Sequence, residues 1–187
     1  VPRMRRLEYE MPRAMDASDF ERVRVDFRAA AENAVLAGFD GVELHGANGY
    51  LIDQFLHRSS NRREDEYGGS SENQARFPLQ IVDDLLDVLG DLPLGVRVSP
   101  AAHSNMQGDP LDRDVFDLYL RELGHRRLAY VHLGLFDDGV IYPELGMRAS
   151  DYLRAAYSGV VVGVGQYTPA AAEEAAVADR DHVAPEL

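Results

Sequence analysis

In the stretch "GVELHGANGYLIDQF", residues 41–55, an apolar run ends in His45, Asn48 and Tyr50. An imidazole, a carboxamide and a phenol all donate hydrogen bonds. The phenol also keeps its proton at neutral pH, so it can serve as a general acid. The same residues have a plain structural reading, with a histidine satisfied at a strand end and a tyrosine hydroxyl resting on a backbone carbonyl. Arg97 interrupts the aliphatic run "LGVRVS" with a charge that is costly to bury without a partner. Something anionic must meet it, either a ligand or an inward carboxylate such as Glu43. In "GVGQYTP", Gly165 and Gln166 precede Thr168, a candidate helix N-cap, so backbone N–H groups there can approach a phosphate. A tight turn explains the Gly-x-Gly equally well.

Short β-branched runs alternate with longer helical patterns, the order of parallel βαβ units. Strands are predicted at 41–45, 94–99, 130–133 and 160–164, with a weaker one at 182–184. Ser18 with Glu21 reads as a capping box for a helix carrying Phe20, Val23, Phe27 and Ala31 on to Gly38. Ser71 with Gln74 opens a second helix that ends at Gly90 and is expected to kink at Pro78. A third covers about 112–123, "ASDYLRAAYSG" makes a fourth, and Thr168 with Pro169 starts the last.

Side chains alternate across a strand, which sets Glu43 and His45 opposite Val42 and Leu44, and Gly95 and Arg97 opposite Leu94, Val96 and Val98. By the same rule His132 faces inward, and Val160, Val162 and Val164 oppose Val161, Gly163 and Gly165. A face mixing small and polar groups suits the inside of a (β/α) barrel near its C-terminal rim. The expected class is therefore α/β, of (β/α)8 TIM-barrel type. Such a barrel has eight strands and takes about 250 residues, so about five parallel strands with covering helices make an incomplete barrel. One domain over 1–187 is expected, with 1–16 an extended leading segment.

The 187 residues are 45% hydrophobic, enough for a real core. A net charge of -13 argues against nucleic acid, which is bound through clustered positive charge. No apolar run approaches the ~20 residues of a membrane span, and the first residues lack the apolar stretch of a secretory signal, so no membrane partner is expected. The sequence contains no Cys, which excludes thiolate catalysis and iron–sulfur ligation and fits a cytoplasmic location. All 19 basic residues are Arg, which excludes a Schiff-base lysine.

"FRAAAENAVLAGFDGVELHGANGYLIDQFL", "SSNRREDEYGGSSENQARF" and "LGVRVSP" together resemble the old yellow enzyme family of FMN-dependent NAD(P)H:flavin oxidoreductases, the ene-reductases. The likeness runs from about Met11 to Thr168 and matches the C-terminal half of that family's barrel. It implies that His45 and Asn48 hydrogen-bond the carbonyl oxygen of an α,β-unsaturated substrate, stabilising the enolate that develops as hydride arrives. It further implies that Tyr50 is the proton donor, that Arg97 meets the N1 and C2 carbonyl edge of FMN, and that Gly165 and Gln166 form the first half of the phosphate site. Expected cofactors are FMN, with NAD(P)H as hydride donor. The partner is a small enone-type molecule, together with a second copy of the chain or a missing N-terminal half-barrel. Two departures stand out: Pro185 and Glu186 occupy the place where the family completes its phosphate clamp with Gly-Arg, and the first strands of the barrel are absent. A truncated remnant unable to hold FMN alone is the alternative. Taken without the resemblance, Arg97 and the Gly165 turn fit many phosphorylated ligands.

Overall fold

The computed structural model of the chain describes residues 11–101 and 106–180. Strands β1 (Val42–Gly46), β2 (Leu94–Val98), β3 (Tyr130–Leu133) and β4 (Val161–Val162) form one parallel sheet in the order β1-β2-β3-β4. Six helices accompany it: α1 (Ala17–Leu36), α2 (Leu51–Leu56), α3 (Ser71–Leu89), α4 (Asp112–Gly124), α5 (Ala149–Ala156) and α6 (Pro169–Arg180). The four strands match four of the five expected; 182–184 lies outside the described residues. The sheet order follows chain order because each strand returns to its neighbour through a helical crossover, which places every strand's C-terminal end on the same rim.

Leu44, Val96, Val98, Val131 and Leu133 turn one sheet face toward Phe77, Ile81, Phe116 and Leu120 of α3 and α4, all buried. Each such side chain contributes roughly 1.5–3 kcal/mol on burial. That exceeds the 0–1 kcal/mol or so of an exposed ion pair, so the sheet–helix layer and not the surface charge holds the fold. α1 packs on α3 through a bidentate pair in which Arg24 Nε and Nη2 donate to the buried Asp84 at 2.6 and 2.8 Å.

Several boundaries differ from expectation. Asp16, not Ser18, caps α1: its Oδ1 accepts from the Ser18 and Asp19 backbone N–H groups at 2.9 and 3.1 Å, while Asp19 Oδ2 accepts from Asp16 N at 3.0 Å. A carboxylate suits a helix N-terminus better than the hydroxyl two residues on. Ser70, not Ser71, caps α3 by accepting from Asn73 N at 3.2 Å. That helix continues past Pro78 to Leu89. The six-residue α2 is too short to show a period and has no counterpart among the expected elements. Thr168 caps α6 as expected, accepting from Ala171 N at 3.2 Å.

The parity of β4 is reversed. Val162 pairs in register with inward-facing His132, and Val161 pairs with buried Val131 and packs on the core. Only two residues of the run join the ladder, so the Val repeat carried no information about which side chain lies inward. The acidic loop at 61–69 braces its surroundings: Arg63 pairs with Asp65 and donates to Met15 O at 2.9 Å, and Tyr67 stacks on Phe20 at 4.0 Å between ring centroids.

Candidate active site

Register brings His45, Arg97 and His132 side by side, because His45 on β1 pairs with Arg97 on β2 and Arg97 with His132 on β3. All three occupy the sheet face away from the covering helices, one residue or less from the C-terminal end of their strands. One step down, Gly95 carries no side chain, and the Tyr130 ring lies over it so closely that a Cβ there would stand 2.3 Å away. Glu43 reaches across the sheet to His132 Nδ1 at 2.9 Å, and burial together with a hydrogen bond to Glu43 pushes the Tyr130 phenol up. Glu43 is thereby committed to His132 and does not neutralise Arg97.

Arg97 Nε is buried and has no hydrogen-bond partner, and no carboxylate forms an ion pair with Arg97 among the described residues. A buried, unsatisfied guanidinium donor costs about 1–3 kcal/mol or more unless a ligand acceptor meets it. His45 stands beside it. Partial burial and the Arg97 charge hold its imidazole below the ordinary value of 6.5, so His45 is neutral at pH 7, with one N–H to donate.

Asn48 and Tyr50 sit on the turn between β1 and α2. Asn48 and Gly49 both adopt left-handed backbone, with φ of 60° and 77°, which reverses the chain within two residues of the strand end. The Asn48 backbone N–H donates to Ser99 Oγ at 2.6 Å, and its Nδ2 donates to Gly134 O at 3.1 Å, leaving a second amide N–H. Gly134 in turn closes on Arg97: a Cβ at that glycine would stand 3.3 Å from Arg97 Nε. Tyr50 is the N-cap residue of α2 and is 64% exposed, its ring 5.3 Å from that of His45. His45 thus pairs in register with Arg97 and lies beside the Tyr50 ring, while Asn48 and Arg97 both approach Gly134, which gathers the four residues at the rim of the sheet.

Gly165 and Gln166 follow β4, which β3 separates from the Arg97 strand. Both have left-handed backbone, with φ of 134° and 58°. Gly165 is obligatory, since a Cβ would lie 2.5 Å from Asp138 N. Asp138, buried after β3, accepts from Tyr167 Oη and from Ser150 N at 3.0 Å, which fixes the turn. Burial and the Asp138 hydrogen bond raise the Tyr167 phenol to about 12. Pro185 and Glu186 lie outside the described residues.

The sequence matches the NADH:flavin oxidoreductase / NADH oxidase family over residues 3–184. The chain belongs to this family. Among NADH:flavin oxidoreductase relatives, a probable flavin mononucleotide-dependent alkene reductase of Leishmania infantum is 41% identical over 153 residues, 82% of this chain and 41% of that protein. The old yellow enzyme homologue from Zymomonas mobilis superposes with a TM-score of 0.81 at 31% identity, over 91% of this chain and 48% of its own. Morphinone reductase in complex with tetrahydroNAD gives 0.76 at 35% identity, over 91% of this chain and 45% of its own. The chain spans less than half the length of each of these three, and its four-stranded sheet is part of their barrel.

Two residues that sequence reasoning left without a role belong to this description. His132 completes the row beside Arg97 and holds Glu43 away from it; its inward parity was visible but its partner was not. His57 is fully buried beneath the Asn48 turn. The Asp53–His57 spacing of four on a helix was the one available signal. His125 is at the C-cap of α4, and His103 lies outside the described residues.

Proposed function

We propose that this chain carries the substrate-polarising half of an FMN-dependent ene-reductase that reduces activated, α,β-unsaturated alkenes at the expense of NAD(P)H. The observation that carries the reading is the orphaned Nε of Arg97, buried in register beside a neutral His45. Those residues fit a flavin: Arg97 offers a fixed positive charge to the anionic N1 and C2 carbonyl edge, and the Gly165–Gln166 turn offers close backbone approach to the phosphate. FMN, when bound there, supplies the hydride that it receives from NAD(P)H.

This chain's own groups then do the remaining work. His45 and the second amide N–H of Asn48 aim at the substrate carbonyl oxygen, where two donors stabilise the negative charge that develops as the β-carbon is reduced. Both are fixed before substrate arrives, His45 by the strand and Asn48 by its bonds to Ser99 and Gly134. Tyr50, exposed at the rim, delivers its proton to the α-carbon as general acid. The relatives named an alkene reductase and a morphinone reductase support this substrate class. Work in a reducing cytoplasm is consistent with a sequence that contains no Cys.

A second reading follows from the open sheet. β1 and β4 each have a free edge among the described residues, and the chain spans less than half of the three relatives named above, so it holds FMN only after a second half-barrel or a second copy closes the sheet. The test is visible absorbance after desalting, with enone-dependent NAD(P)H oxidation, for the chain alone and for the chain mixed with a relative's N-terminal half. Flavin and turnover by the chain alone support the first reading, and flavin only in the mixture supports the second. Colourless, inactive protein in both would overturn the assignment.

A further inference from the structure

Beneath the Asn48–Gly49 turn lies a buried ionic cluster for which the reaction just described has no use. His57, Asp53, Asp112 and Ser99 are each 0–2% exposed. His57 Nδ1 lies 2.8 Å from Asp112 Oδ2, and Nε2 lies 3.2 Å from the Ser99 carbonyl oxygen and 3.5 Å from Asp53 Oδ1. A carbonyl oxygen only accepts, and so does an ionised carboxylate, so both ring nitrogens face acceptors and the arrangement is satisfied by an imidazolium that donates from both. The partners are used elsewhere too. Asp112 Oδ1 accepts from Arg58 N at 2.8 Å, which ties α4 to the end of α2. Asp53 Oδ2 accepts from Gly49 N at 2.8 Å, and Ser99 Oγ accepts from Asn48 N at 2.6 Å.

Both backbone N–H groups of the left-handed turn therefore end on groups that His57 holds from below. We infer that His57 is a positioning residue: as an imidazolium clamped between Asp112 and Asp53, it fixes the Asn48–Gly49 turn and so the aim of Asn48 and Tyr50 into the opening. For what that turn positions, the inference rests on the function proposed above.

The physical need is clear from the neighbours. The titratable groups facing His57 are Asp53 on its own helix and Asp112 on α4, with Tyr119 of α4 buried near Asp53; the end of β2 contributes the neutral Ser99, and the Phe116 ring closes the site 5.1 Å from the imidazole. Without the cation, two carboxylates would sit buried with no positive partner, and burying uncompensated charge is far costlier than a left-handed asparagine. Burial alone would depress the imidazole, but the hydrogen bonds and charges of Asp112 and Asp53 outweigh it and raise His57 to about 9. Loss of the cation leaves Asp53, whose Oδ2 fixes Gly49 N, as a buried carboxylate 3.5 Å from an uncharged ring.

The experiment is NMR on the isotope-labelled chain, following the histidine ring nitrogens and the backbone amides between about pH 6 and pH 10. The expected result is a doubly protonated His57 ring at neutral pH, with the Asn48 and Gly49 amide shifts moving at the same midpoint as the ring. In Asp112→Asn and in His57→Gln, hydrogen exchange at the Gly49 amide is expected to quicken by about tenfold or more while Val131 in β3 is unchanged. A space-filling role would move neither the shared midpoint nor the local exchange. A neutral His57 ring at pH 7, amide shifts that ignore it, or unchanged Gly49 exchange in a folded variant would each overturn the inference. Should neither variant fold, the titration of the unaltered chain decides alone. None of these signals needs flavin, so a chain that stays colourless and inactive both alone and with a relative's N-terminal half, yet shows the coupling, refutes the proposed function and leaves the His57 clamp standing.

Discussion

At the scale of single residues, the site is a set of donors without acceptors. Arg97 Nε is buried without a partner, and Asn48 Nδ2 spends one N–H on Gly134 O and keeps a second. Arg97→Leu is accordingly expected to leave thermal stability in the absence of flavin equal or higher, since it removes an unsatisfied buried donor, while abolishing flavin retention; calorimetry and visible absorbance on the same sample check both halves. Tyr50→Phe is expected to lower enone turnover by roughly 10²-fold with flavin absorbance retained, because it removes only the general acid. A steady-state assay with NAD(P)H reads that loss. The inward placement of His45 and Arg97 was legible, because a period of two on a strand of five residues leaves no other face for them. The partners of His57 were not. Asp112 comes from another helix 55 residues away, and nothing in local spacing announces that contact.

At the scale of elements, the helices that form the outer layer are fixed by caps and by a few buried charges. Arg24 bridges α1 to Asp84 of α3, and Arg24→Ala leaves a nearly buried carboxylate with only Arg28 at 3.5 Å. A loss of about 1–2 kcal/mol is expected, read from the midpoint of urea unfolding. His57 links stability to pH in a defined direction. Its folded value is raised from 6.5 to about 9, so its contribution is fully present below pH 6.5 and is lost as pH rises through about 9. Melting temperature is therefore expected to fall across that interval, and less steeply in His57→Gln. Helices α3 and α4 were legible in the sequence because their apolar stripes repeat over three turns or more. The two-residue β4 and six-residue α2 were not, since neither is long enough for a period to be told from chance.

At the scale of the whole molecule, a parallel sheet whose two edge strands have no partner among the described residues is an incomplete object. Leu36 and Phe39, beside the start of β1, are 84% and 65% exposed, and Val160, beside β4, is 63% exposed. These flanks are the surfaces that a second half-barrel or a second copy would cover. Light scattering is expected to show self-association of the chain by itself and a one-to-one complex once a relative's N-terminal half is supplied. The barrel class was visible from the alternation of strands and helices, but closure was not, because no local pattern states what lies beyond an edge. The most direct measurement of the central claim is a titration of FMN against the chain in its closed assembly, followed by quenching of flavin fluorescence, with Arg97→Leu run in parallel. The account predicts saturable binding that weakens by about tenfold or more in the variant; equal affinity in both, or no binding by either, would contradict it.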